Sequence, residues 1–487
     1  MNLATLLTDY CANASDYAHL TVTGLALSSA QVRDGYVFIA LAGAKQHGLH
    51  YIDQAMAGGA CAVLYDAAAL PCLPSSAIPL IAIANLSQQL GALAARFYDN
   101  PSQALTVIGI TGTNGKTSCS QFLAQTLQAC GVIGTLGWGR HEALLPTLNT
   151  TPDALALQTM LASLQKQGMT RVAMEVSSHG LHQGRVNGVQ FTGAVVTNIS
   201  RDHLDYHLTM NAYVQAKTLL LKMPQLGFAV INLDDSYSEQ LLNALPAKVA
   251  LWGVSRHARH APRGETLIAS NSSHDEAGLA FTVHWRGAWQ RLHCPLYGDF
   301  NIDNVLTVLA VLLALGMNLT QATDKLSHLK PVQGRMERFG GQGKPLVFVD
   351  YAHTPDALEK VLTSVRPHCK GQLWLVFGCG GNRDTGKRPL MGAVAQRLAD
   401  RVIITDDNPR DENSAAIMQA IMQGCVQAEP LELIADRAHA INAAVRRAHP
   451  LDCIIIAGKG HENYQESAGM QTPFSDKEQV LAALALR

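Results

Sequence analysis

The stretch LTVIGITGTNGKTS, residues 105–118, indicates the fold class of this 487-residue chain. Its first six residues form an uninterrupted apolar run, typical of a strand that is buried on both faces of a parallel sheet. A glycine-rich loop follows, and an amphipathic stretch from Ser118 to Ala129 predicts a helix. A strand, a glycine loop and a helix in this order form a unit in which backbone N–H groups and the helix N-terminus can hold phosphate. The stretch therefore predicts an α/β domain with a phosphate site.

The loop itself reads G-x-x-G-K-T from Gly112 to Thr117. In such loops the lysine, here Lys116, reaches the β- and γ-phosphates, and the hydroxyl of Thr117 binds Mg²⁺. The usual pattern has another glycine five residues before Gly115, and Ile110 occupies that position, so the loop is a shortened form. A tight glycine turn with a solvated lysine is the alternative. The strand-loop-helix context favours a nucleoside triphosphate, but the loop alone does not identify the reaction.

Short apolar runs alternate with helical patterns along the rest of the chain, which predicts parallel sheets covered by helices. These predicted strands span residues 36–41, 61–65, 79–84, 172–176, 194–198, 228–232, 346–351, 373–378, 402–405 and 453–457. At roughly 150 residues per domain, the chain has room for about three domains. We expect a small N-terminal α/β domain over 1–102, a central phosphate-loop domain with a parallel sheet over 103–332, and a Rossmann-like α/β domain over 333–487.

The composition excludes several classes of protein. Hydrophobic residues make up 48% of the chain and charged residues 15%, which is typical of a globular protein rather than a disordered one. The formal net charge of -1 offers no overall attraction for nucleic acid or an anionic membrane. The basic cluster from Arg256 to Arg263 has no interleaved aromatic residues, so we interpret it as a solvated loop. We therefore expect no nucleic-acid partner.

The chain also carries no pattern typical of export or membrane insertion. Its N-terminus lacks the basic start and apolar stretch of a signal peptide. The run from Val305 to Leu315 is about half of the roughly 20 residues that a helix needs to cross a bilayer, so it predicts a buried core helix. The ten cysteines include no C-x-x-C pair, which favours neither a disulfide framework nor a zinc site. We expect a cytoplasmic protein.

Three places in the sequence carry candidate metal ligands or reactive side chains. Glu175 ends a predicted buried strand, where an unpaired carboxylate is costly and where Mg²⁺ favours oxygen ligands. His203 and His207 have the i, i+4 spacing of a zinc pair, but no third ligand is evident, and most histidines are structural. Lys217 lies in an apolar helical pattern, and the ordinary expectation is that it reaches water. If it is buried instead, its pKa falls, and the neutral amine can react with CO₂ to give a carbamate, an anionic oxygen ligand.

Seven motifs occur in this order along the chain: TGTNGKTS (111–118), EVSSHGL (175–181), TNISRDHLDYH (197–207), YVQAK (213–217), GDFNIDN (298–304), GRMER (334–338) and VDYAHTPD (349–356). Together these motifs resemble those of the Mur ligases, the ATP-dependent amide-forming enzymes of peptidoglycan precursor synthesis. The resemblance covers nearly the whole chain. It implies the three domains described above, with a substrate-binding domain, an ATPase domain and a C-terminal amino-acid-binding domain.

The resemblance also implies the residues that bind nucleotide and metal. The ATP-binding positions are Gly112, Thr113, Asn114, Gly115, Lys116, Thr117, Ser118, Asn301, Arg335 and Asp350. Thr117 and Glu175 would hold the Mg²⁺ that bridges ATP, and His203 with Lys217 as a carbamate would hold a second Mg²⁺. His207 has no such role. Lys116, Lys217, His203 and Glu175 are the expected catalytic residues.

The family's other substrate is a UDP-N-acetylmuramoyl peptide. Its binding positions match Leu27, Ser29, Thr150, Thr151, Ser177, Gln183 and Arg185 of this chain. One departure concerns the uridine site, where family members commonly have Asp-Ser-Arg and this chain has Ser28-Ser29-Ala30. The missing arginine leaves the uridine contact undefined, although the His47-Gly48 loop is able to approach the ligand.

The C-terminal motifs indicate which amino acid is added. Asp407-Asn408-Pro409-Arg410 resembles the motif of members that recognise meso-diaminopimelate, and the resemblance adds Arg383, Gly458 and Glu462 as contacts. Diaminopimelate carries one carboxylate more than lysine, and an arginine fork matches a carboxylate. Lysine would leave Arg410 unpaired, so we expect it to be rejected. Alone, this tetrapeptide is equally consistent with an ordinary turn.

The expected reaction is therefore ATP-dependent addition of meso-diaminopimelate to UDP-N-acetylmuramoyl-L-alanyl-D-glutamate through an acyl phosphate, by a monomer. A folylpolyglutamate synthetase is the alternative with the same chemistry, and it shares the phosphate loop and the lysine. A phosphate-loop switch protein, which changes shape on binding ATP and forms no bond, is the alternative from a different class.

Overall fold

The computed structural model describes residues 1–43, 46–66, 73–275, 278–426 and 431–487. Within these ranges the strands are β1 (Gly24–Ala26), β2 (Tyr36–Ala40), β3 (Ala60–Asp66), β4 (Leu80–Ile83), β5 (Thr106–Thr111), β6 (Cys130–Gly134), β7 (Gly137–Arg140), β8 (Ala143–Leu145), β9 (Arg171–Glu175), β10 (Gly193–Val196), β11 (Phe228–Asn232), β12 (Ala250–Ser255), β13 (Glu265–Asp275), β14 (Gly278–Trp285), β15 (Ala288–Cys294), β16 (Glu337–Gly341), β17 (Lys344–Asp350), β18 (Leu373–Phe377), β19 (Arg401–Ile404), β20 (Leu431–Leu433), β21 (Cys453–Ala457), β22 (Tyr464–Ser467) and β23 (Met470–Pro473).

The α-helices of the same ranges are α1 (Leu3–Leu7), α2 (Ile52–Ala57), α3 (Leu86–Phe97), α4 (Lys116–Thr126), α5 (Ala154–Lys166), α6 (Ser178–His182), α7 (Leu204–His207), α8 (Met210–Thr218), α9 (Ser238–Ala244), α10 (Phe300–Ala314), α11 (Leu319–Ser327), α12 (Pro355–Val365), α13 (Lys387–Leu398), α14 (Ser414–Met422), α15 (Arg437–Arg447) and α16 (Asp476–Ala485). The predicted α/β class is confirmed.

The chain forms two compact units. The first contains residues 1–109, 127–194 and 222–227, and the second contains residues 110–126, 195–221 and 228–487. Strands β5 and β10 each begin in the first unit and end in the second. The three domain ranges expected from the sequence stay a prediction.

The first unit begins with a parallel sheet of β1, β2, β3 and β4, in that order. Residues alternate between its two faces, as the period of a strand requires. Val37 and Ile39 pack with α1 and α3 on one face, whereas Phe38 and Ala40 pack with α2 on the other. Each face thus has a core of its own.

The other part of the first unit contains β6 to β9 and α5. Strand β9 pairs in parallel with β6, and β6, β7 and β8 continue as antiparallel neighbours. Asp153 caps α5 by accepting a hydrogen bond from the N–H of Ala156 at 2.9 Å. The antiparallel pair β7 and β8 was not predicted.

In the second unit, β11, β12 and β13 are parallel neighbours, and β14 and β15 extend them as antiparallel strands. Helix α10 packs against β11 and β12. It contains the predicted core run, and Val305, Val308 and Leu312 are fully buried. The prediction of a core helix is therefore confirmed.

The second unit also contains the C-terminal sheet, in the order β16, β17, β21, β18, β19, β20. All neighbours are parallel except β16 and β17. Helices α12, α13 and α14 cover one face, and α15 and α16 cover the other. Strand β21 lies between β17 and β18, although it is the last strand of this sheet along the chain. The carboxyl edge of these strands therefore contains a topological switch point, and ligands bind at such points in open α/β sheets.

None of the described helices is long and apolar enough to cross a membrane. The cysteines among the described residues carry free thiols, and Cys72 lies outside those residues. The basic cluster over 256–263 forms a loop that is mostly exposed, as expected. Two of its arginines also bond within the protein: Arg256 pairs with Asp299 at 2.5 Å, and Arg263 donates to the carbonyls of Val249 and Pro246 at 2.7 and 2.9 Å.

Candidate active site

The phosphate loop lies between β5 and α4, and α4 begins at Lys116. Gly112 and Gly115 have φ values of +143° and +86°, which side-chain-bearing residues rarely adopt. A Cβ atom at Gly112 would lie 1.9 Å from Oγ1 of Thr197, and one at Gly115 would lie 2.5 Å from Oδ1 of Asn304. Both glycines are therefore required by the shape of the loop.

The loop is held from the side by the segment that follows β10. The backbone N–H of Asn114 donates to Oδ1 of Asn198 at 3.0 Å, and the amide of Asn198 donates back to the carbonyl of Asn114 at 3.0 Å. Oγ1 of Thr113 donates to the carbonyl of Ser200 at 3.1 Å and accepts from its N–H at 2.9 Å. The backbone that would cradle phosphate is thus fixed before any ligand arrives.

Two lysines meet at one carbonyl of this loop. Nζ of Lys116 donates to the carbonyl of Gly112 at 2.8 Å and to that of Thr113 at 2.9 Å, and Nζ of Lys217 donates to Gly112 at 2.8 Å. Lys217 is 1% exposed, so the expectation that it reaches water is excluded. Burial lowers the pKa of Lys217 well below its usual range, and the charge of Lys116 acts in the same direction. Lys217 therefore favours the neutral amine.

Tyr213 lies between the two predicted ligands of the second metal. Nζ of Lys217 lies 4.5 Å from the centre of the Tyr213 ring, and the His203 ring packs edge-on against Tyr213 at 6.2 Å. The hydroxyl of Tyr213 also contacts Oγ1 of Thr113 at 3.1 Å. The structure thus gathers His203 and Lys217 around a single aromatic ring beside the phosphate loop, and His207 packs on the same ring at 5.3 Å.

Asp202 is a buried carboxylate that sequence analysis did not identify. Its Oδ2 lies 3.4 Å from Nε2 of His203 and 3.6 Å from Nε2 of His353, and its Oδ1 lies 4.0 Å from Nζ of Lys387. Burial raises the pKa of Asp202, but the hydrogen bond from His353 and the electrostatic effects of His203, His353 and Lys387 outweigh burial and hold that pKa well below its usual range. Asp202 therefore links the loop after β10 to α13 and to the segment after β17.

Arg335 and Asp350 lie at the nucleotide side of the same loop. Nη2 of Arg335 donates to Oγ1 of Thr117 at 3.0 Å, and the guanidinium stacks on the Tyr351 ring at 4.5 Å. Asp350 accepts from the N–H groups of Met336 and Ala352, both at 2.8 Å. Burial raises the pKa of Asp350, and the charge of Arg335 opposes that shift.

A cavity separates the loop from the C-terminal sheet. It is lined by Asn114, Gly115, Ser118, Thr197, Asn198, Asn232, Phe300, Asp303, Asn304, Thr307, Arg335, Asp350, Tyr351, Ala352, Ala357, Lys360 and Val361. Asn301 does not line it. Its amide donates to the carbonyl of Tyr297 at 2.7 Å and its Oδ1 accepts from Asn304 at 2.9 Å. Phe300, Asp303 and Asn304 are the residues of the 298–304 motif that line the cavity.

In the first unit, Glu175 ends β9 and is 1% exposed. Its carboxylate accepts from the N–H of Thr135 at 2.8 Å and from the hydroxyl of Thr135 at 3.0 Å. Thr150 lies beside this pair, with its hydroxyl 3.1 Å from that of Thr135. Glu175 is thus a buried carboxylate that two neutral donors orient.

Hydrogen bonds connect four of the residues predicted to bind the UDP substrate, beginning at the backbone of Glu175. Oγ1 of Thr151 donates to the carbonyl of Glu175 at 3.0 Å and accepts from the N–H of Ser177 at 2.9 Å. Nη1 of Arg185 donates to the carbonyl of Thr151 at 2.8 Å, and its Nε donates to Oε1 of Gln183 at 2.9 Å. The structure therefore brings these side chains into one cluster in the first unit.

Leu27 and Ser29 lie after β1, in the N-terminal sheet region. Oγ of Ser29 donates to Oε1 of Gln54 at 2.7 Å, and Ala30 is exposed. His47 is buried, and its Nδ1 accepts from the N–H of Leu49 at 3.1 Å. The role of Leu27 and Ser29 in binding the UDP substrate stays a prediction.

The predicted amino-acid site lies at the carboxyl edge of the C-terminal sheet. Asp407 and Asn408 follow β19, and Gly458 follows β21 and bonds to the carbonyl of Asp350 at 3.1 Å. A Cβ atom at Gly458 would lie 2.4 Å from Oδ2 of Asp407, so the two strand ends approach closely. Pro409 is buried.

Asn408, Lys459 and Glu462 form a buried polar triangle at this edge. The amide of Asn408 donates to Oε2 of Glu462 at 2.8 Å, and Nζ of Lys459 donates to both side chains at 2.9 Å. Lys459 is fully buried and was not identified from the sequence. A lysine between two glycines directly after a buried strand was the available signal.

Arg410 and Arg383 differ in their surroundings. Nη1 of Arg410 donates to the carbonyl of Gly381 at 2.8 Å, and its Nε lies 3.4 Å from Oε2 of Glu466. Arg383 is exposed and donates to the carbonyl of Asn382 at 3.2 Å. The structure thus fixes Arg410 at the edge and leaves Arg383 at the surface.

Beneath the site, Arg437 and Asp476 form a fully buried ion pair with two contacts of 2.7 Å. Arg437 also donates to the carbonyls of Asp406 at 3.2 Å and Ala457 at 2.9 Å. These residues directly precede Asp407 and Gly458, so the pair fixes both strand ends.

Comparison with known proteins matches three family models in chain order. Residues 21–98 match the Mur ligase family catalytic domain, residues 110–312 the Mur ligase middle domain, and residues 334–460 the Mur ligase glutamate ligase domain. UDP-N-acetylmuramoyl-L-alanyl-D-glutamate--2,6-diaminopimelate ligases are similar along their whole length. The one from Alkalilimnicola ehrlichii is 46% identical with 99% of each chain covered, and the one from Pseudomonas aeruginosa is 48% identical with 96% of each covered.

Solved structures agree. A structure of a UDP-N-acetylmuramoyl-L-alanyl-D-glutamate--2,6-diaminopimelate ligase is 36% identical, covers 96% of each chain and superposes with a TM-score of 0.67. The MurF ligase of Thermotoga maritima in complex with ADP, at 19% identity, covers 96% of this chain and 97% of its own with a TM-score of 0.67, which shows a shared fold. The chain therefore belongs to the Mur ligase family of ATP-dependent, ADP-forming amide ligases.

Proposed function

We propose that the chain joins meso-diaminopimelate to UDP-N-acetylmuramoyl-L-alanyl-D-glutamate, with ATP converted to ADP and phosphate. The observation that carries the proposal is that one compact unit contains both a preformed phosphate loop and Arg410, which lies at the carboxyl edge of the C-terminal sheet. The names of the similar ligases support the same substrates.

In the first step, the γ-carboxylate of the D-glutamyl residue attacks the γ-phosphorus of ATP, and ADP leaves. Two anions must meet in this step, so positive charge and fixed donors lower the barrier. Lys116 provides that charge at the loop, and Arg335, which bonds Thr117, provides it from the C-terminal part of the same unit. The product is an acyl phosphate.

In the second step, the amine of diaminopimelate attacks the acyl carbon, a tetrahedral intermediate forms, and phosphate leaves as the amide forms. No residue of the chain becomes covalently attached to substrate. The site must exclude water, which would hydrolyse the acyl phosphate. The contacts of Asn114 and Ser200 with Asp356, at 3.1 and 3.3 Å, support a closed arrangement of the loop and α12.

We propose Thr117 and Glu175 as ligands of one Mg²⁺, and His203 with carbamylated Lys217 as ligands of a second. The donor set fits this ion, because hydroxyl and carboxylate oxygens are hard ligands and the buried Glu175 carboxylate is oriented by the N–H and hydroxyl of Thr135. When bound, Mg²⁺ would neutralise charge that develops on the phosphates. The buried Lys217 fits carbamate formation, because its lowered pKa favours the neutral amine.

The remaining proposed contacts are grouped by ligand. For ATP they are Gly112, Thr113, Asn114, Gly115, Lys116, Thr117, Ser118, Asn301, Arg335 and Asp350. For the UDP substrate they are Leu27, Ser29, Thr150, Thr151, Ser177, Gln183 and Arg185, and for diaminopimelate Arg383, Asp407, Asn408, Pro409, Arg410, Gly458 and Glu462. We also propose that the enzyme acts in the cytoplasm as a monomer, and the free thiols of the described cysteines support a reducing compartment.

The test is an assay of ADP formation with the UDP dipeptide and individual amino acids, together with mass measurement of the product. We expect turnover only when ATP, the UDP dipeptide and meso-diaminopimelate are all present, and a product that contains one added diaminopimelate. ATP turnover that does not depend on both other substrates would indicate a switch protein. Turnover with a folate substrate in place of the UDP dipeptide would indicate a folylpolyglutamate synthetase.

A further inference from the structure

The surroundings of Arg410 contain a carboxylate that none of the recognised motifs includes. Glu466 lies on β22, in the hairpin that β22 forms with β23. Its Oε2 is 3.4 Å from Nε of Arg410, and the two side chains are 27% and 20% exposed. The ion pair therefore forms in a partly desolvated position, where the charge of Glu466 is effective.

The backbone fixes this pair in register. The N–H of Arg410 donates to the carbonyl of Glu466 at 3.0 Å, and the N–H of Ala468 donates to the carbonyl of Arg410 at 2.7 Å. The N–H of Glu466 also donates to Oδ1 of Asn408 at 2.9 Å. The hairpin is thus attached along the Asp407–Arg410 segment, and the position of Glu466 does not depend on its side chain.

The guanidinium of Arg410 is held at two of its three nitrogens. Nε faces Glu466, and Nη1 donates to the carbonyl of Gly381 at 2.8 Å. Among the described residues, Nη2 has no hydrogen-bond partner. Glycine at position 380 makes room for this arrangement, because a Cβ atom there would lie 2.8 Å from Nη1. The terminal Nη1–Nη2 edge is therefore the edge available to a ligand carboxylate, which an arginine binds best through two parallel hydrogen bonds.

We propose that Glu466 is a positioning residue that determines specificity: it holds Nε of Arg410 so that the Nη1–Nη2 edge faces the distal carboxylate of the incoming amino acid. This inference rests on the proposed function. Glu466 does not touch the reacting atoms, and it acts only through Arg410. Amino acids without a distal carboxylate, such as lysine, gain nothing from the orientation of Arg410.

The experiment measures kcat and KM for meso-diaminopimelate and for lysine, in the parent and in Glu466→Ala, Glu466→Gln and Gln471→Ala. Gln471 is the matched control, because it pairs with Glu466 across the hairpin and is exposed. We expect Glu466→Ala to raise KM for diaminopimelate about fivefold, the effect of one partly exposed ion pair, with kcat within about twofold of the parent. We expect Glu466→Gln, which keeps the size of the side chain but removes its charge, to raise KM nearly as much, and Gln471→Ala to match the parent.

Three results would overturn the inference. A lower KM for diaminopimelate in Glu466→Ala would mean that Glu466 competes with the ligand for Arg410. An equal rise of KM for both amino acids would mean a general structural role, and unchanged constants would mean no role. The parent separates this inference from the proposed function: a parent that does not use or prefer diaminopimelate contradicts the function itself. Thermal unfolding midpoints identify variants that fail to fold. If Glu466→Ala fails to fold, the kinetic constants of Glu466→Gln are compared with those of the parent instead.

Discussion

The phosphate loop and the amino-acid pocket lie in the same compact unit but are built differently. The loop uses consecutive residues whose backbone groups are fixed by Asn198 and Ser200. The pocket uses side chains from segments about 85 residues apart along the chain, from Gly381 to Glu466. A backbone site can bind any nucleoside triphosphate phosphate chain, whereas a side-chain site can select one ligand. We therefore assign activation of the carboxylate to the loop and selection of the amino acid to the pocket.

The two regions also manage charge differently. At the loop, the amines of Lys116 and Lys217 both donate to the carbonyl of Gly112, beside the backbone that would cradle phosphate. At the pocket, Lys459 is matched by Glu462, and Arg410 is matched by Glu466. We therefore expect changes at the loop to affect catalysis, and changes at the pocket to affect stability and choice of substrate.

The largest effect should come from the ion pair under the pocket. Removing one partner of a buried pair leaves an uncompensated charge, so Arg437→Met should lower the free energy of unfolding by about 3–5 kcal/mol. Denaturant unfolding measures this loss. The control on the same helix is Arg447→Met, which breaks an exposed pair with Glu432 and should cost less than about 1 kcal/mol. Equal losses in the two variants would show that the pocket edge does not depend on Arg437.

The next largest effect concerns catalysis at the loop. Lys116→Ala should lower kcat by about a hundred- to a thousandfold, because it removes a fixed positive charge from the site of phosphoryl transfer. ADP formation at saturating substrates measures it, and the thermal midpoint should stay near that of the parent. Lys166→Ala, at an exposed position of α5, is the control and should be fully active. A Lys116→Ala enzyme of parental kcat would contradict the assignment of activation to this loop.

A smaller effect should appear in the pH dependence of stability. Burial lowers the pKa of His461 to about 3, and the charges of Arg335 and Lys459 act in the same direction. The unfolded chain therefore takes up a proton below its ordinary pKa of about 6.5 while the folded chain does not, so stability falls as pH falls from about 6.5 toward 3. The measurement is the free energy of unfolding at pH 7 and at pH 5. Its decrease between these two pH values should be up to about 2 kcal/mol smaller in His461→Asn than in the parent. An equal loss in both proteins would mean that His461 titrates normally.

The sequence predicted those parallel strands that are continuous apolar runs, and it missed the parallel strands β1, β6, β12 and β20. It also did not predict β14 and β15, because polar residues such as Gln290 and Arg291 interrupt the apolar pattern of β15 and because the pairing of both strands depends on their neighbours. The phosphate loop was predictable because it is local. Asp202, Lys459 and Glu466 were not, since each also depends on a partner distant in sequence: His353 for Asp202, Asn408 for Lys459 and Arg410 for Glu466. Asn301 stays a predicted nucleotide contact; it does not line the cavity, whereas Asn304, which donates to it, does.

The central claim is that the loop activates a carboxylate and that Arg410 selects the amine. The most direct test presents equal concentrations of meso-diaminopimelate and lysine to the parent and to Arg410→Ala, and measures the ratio of the two ligation products by mass spectrometry. We predict that the parent forms almost only the diaminopimelate product, and that Arg410→Ala lowers this ratio by about ten- to a hundredfold, the effect of losing a charged hydrogen-bonded pair. Equal products from the parent, or an unchanged ratio in Arg410→Ala, would contradict the account.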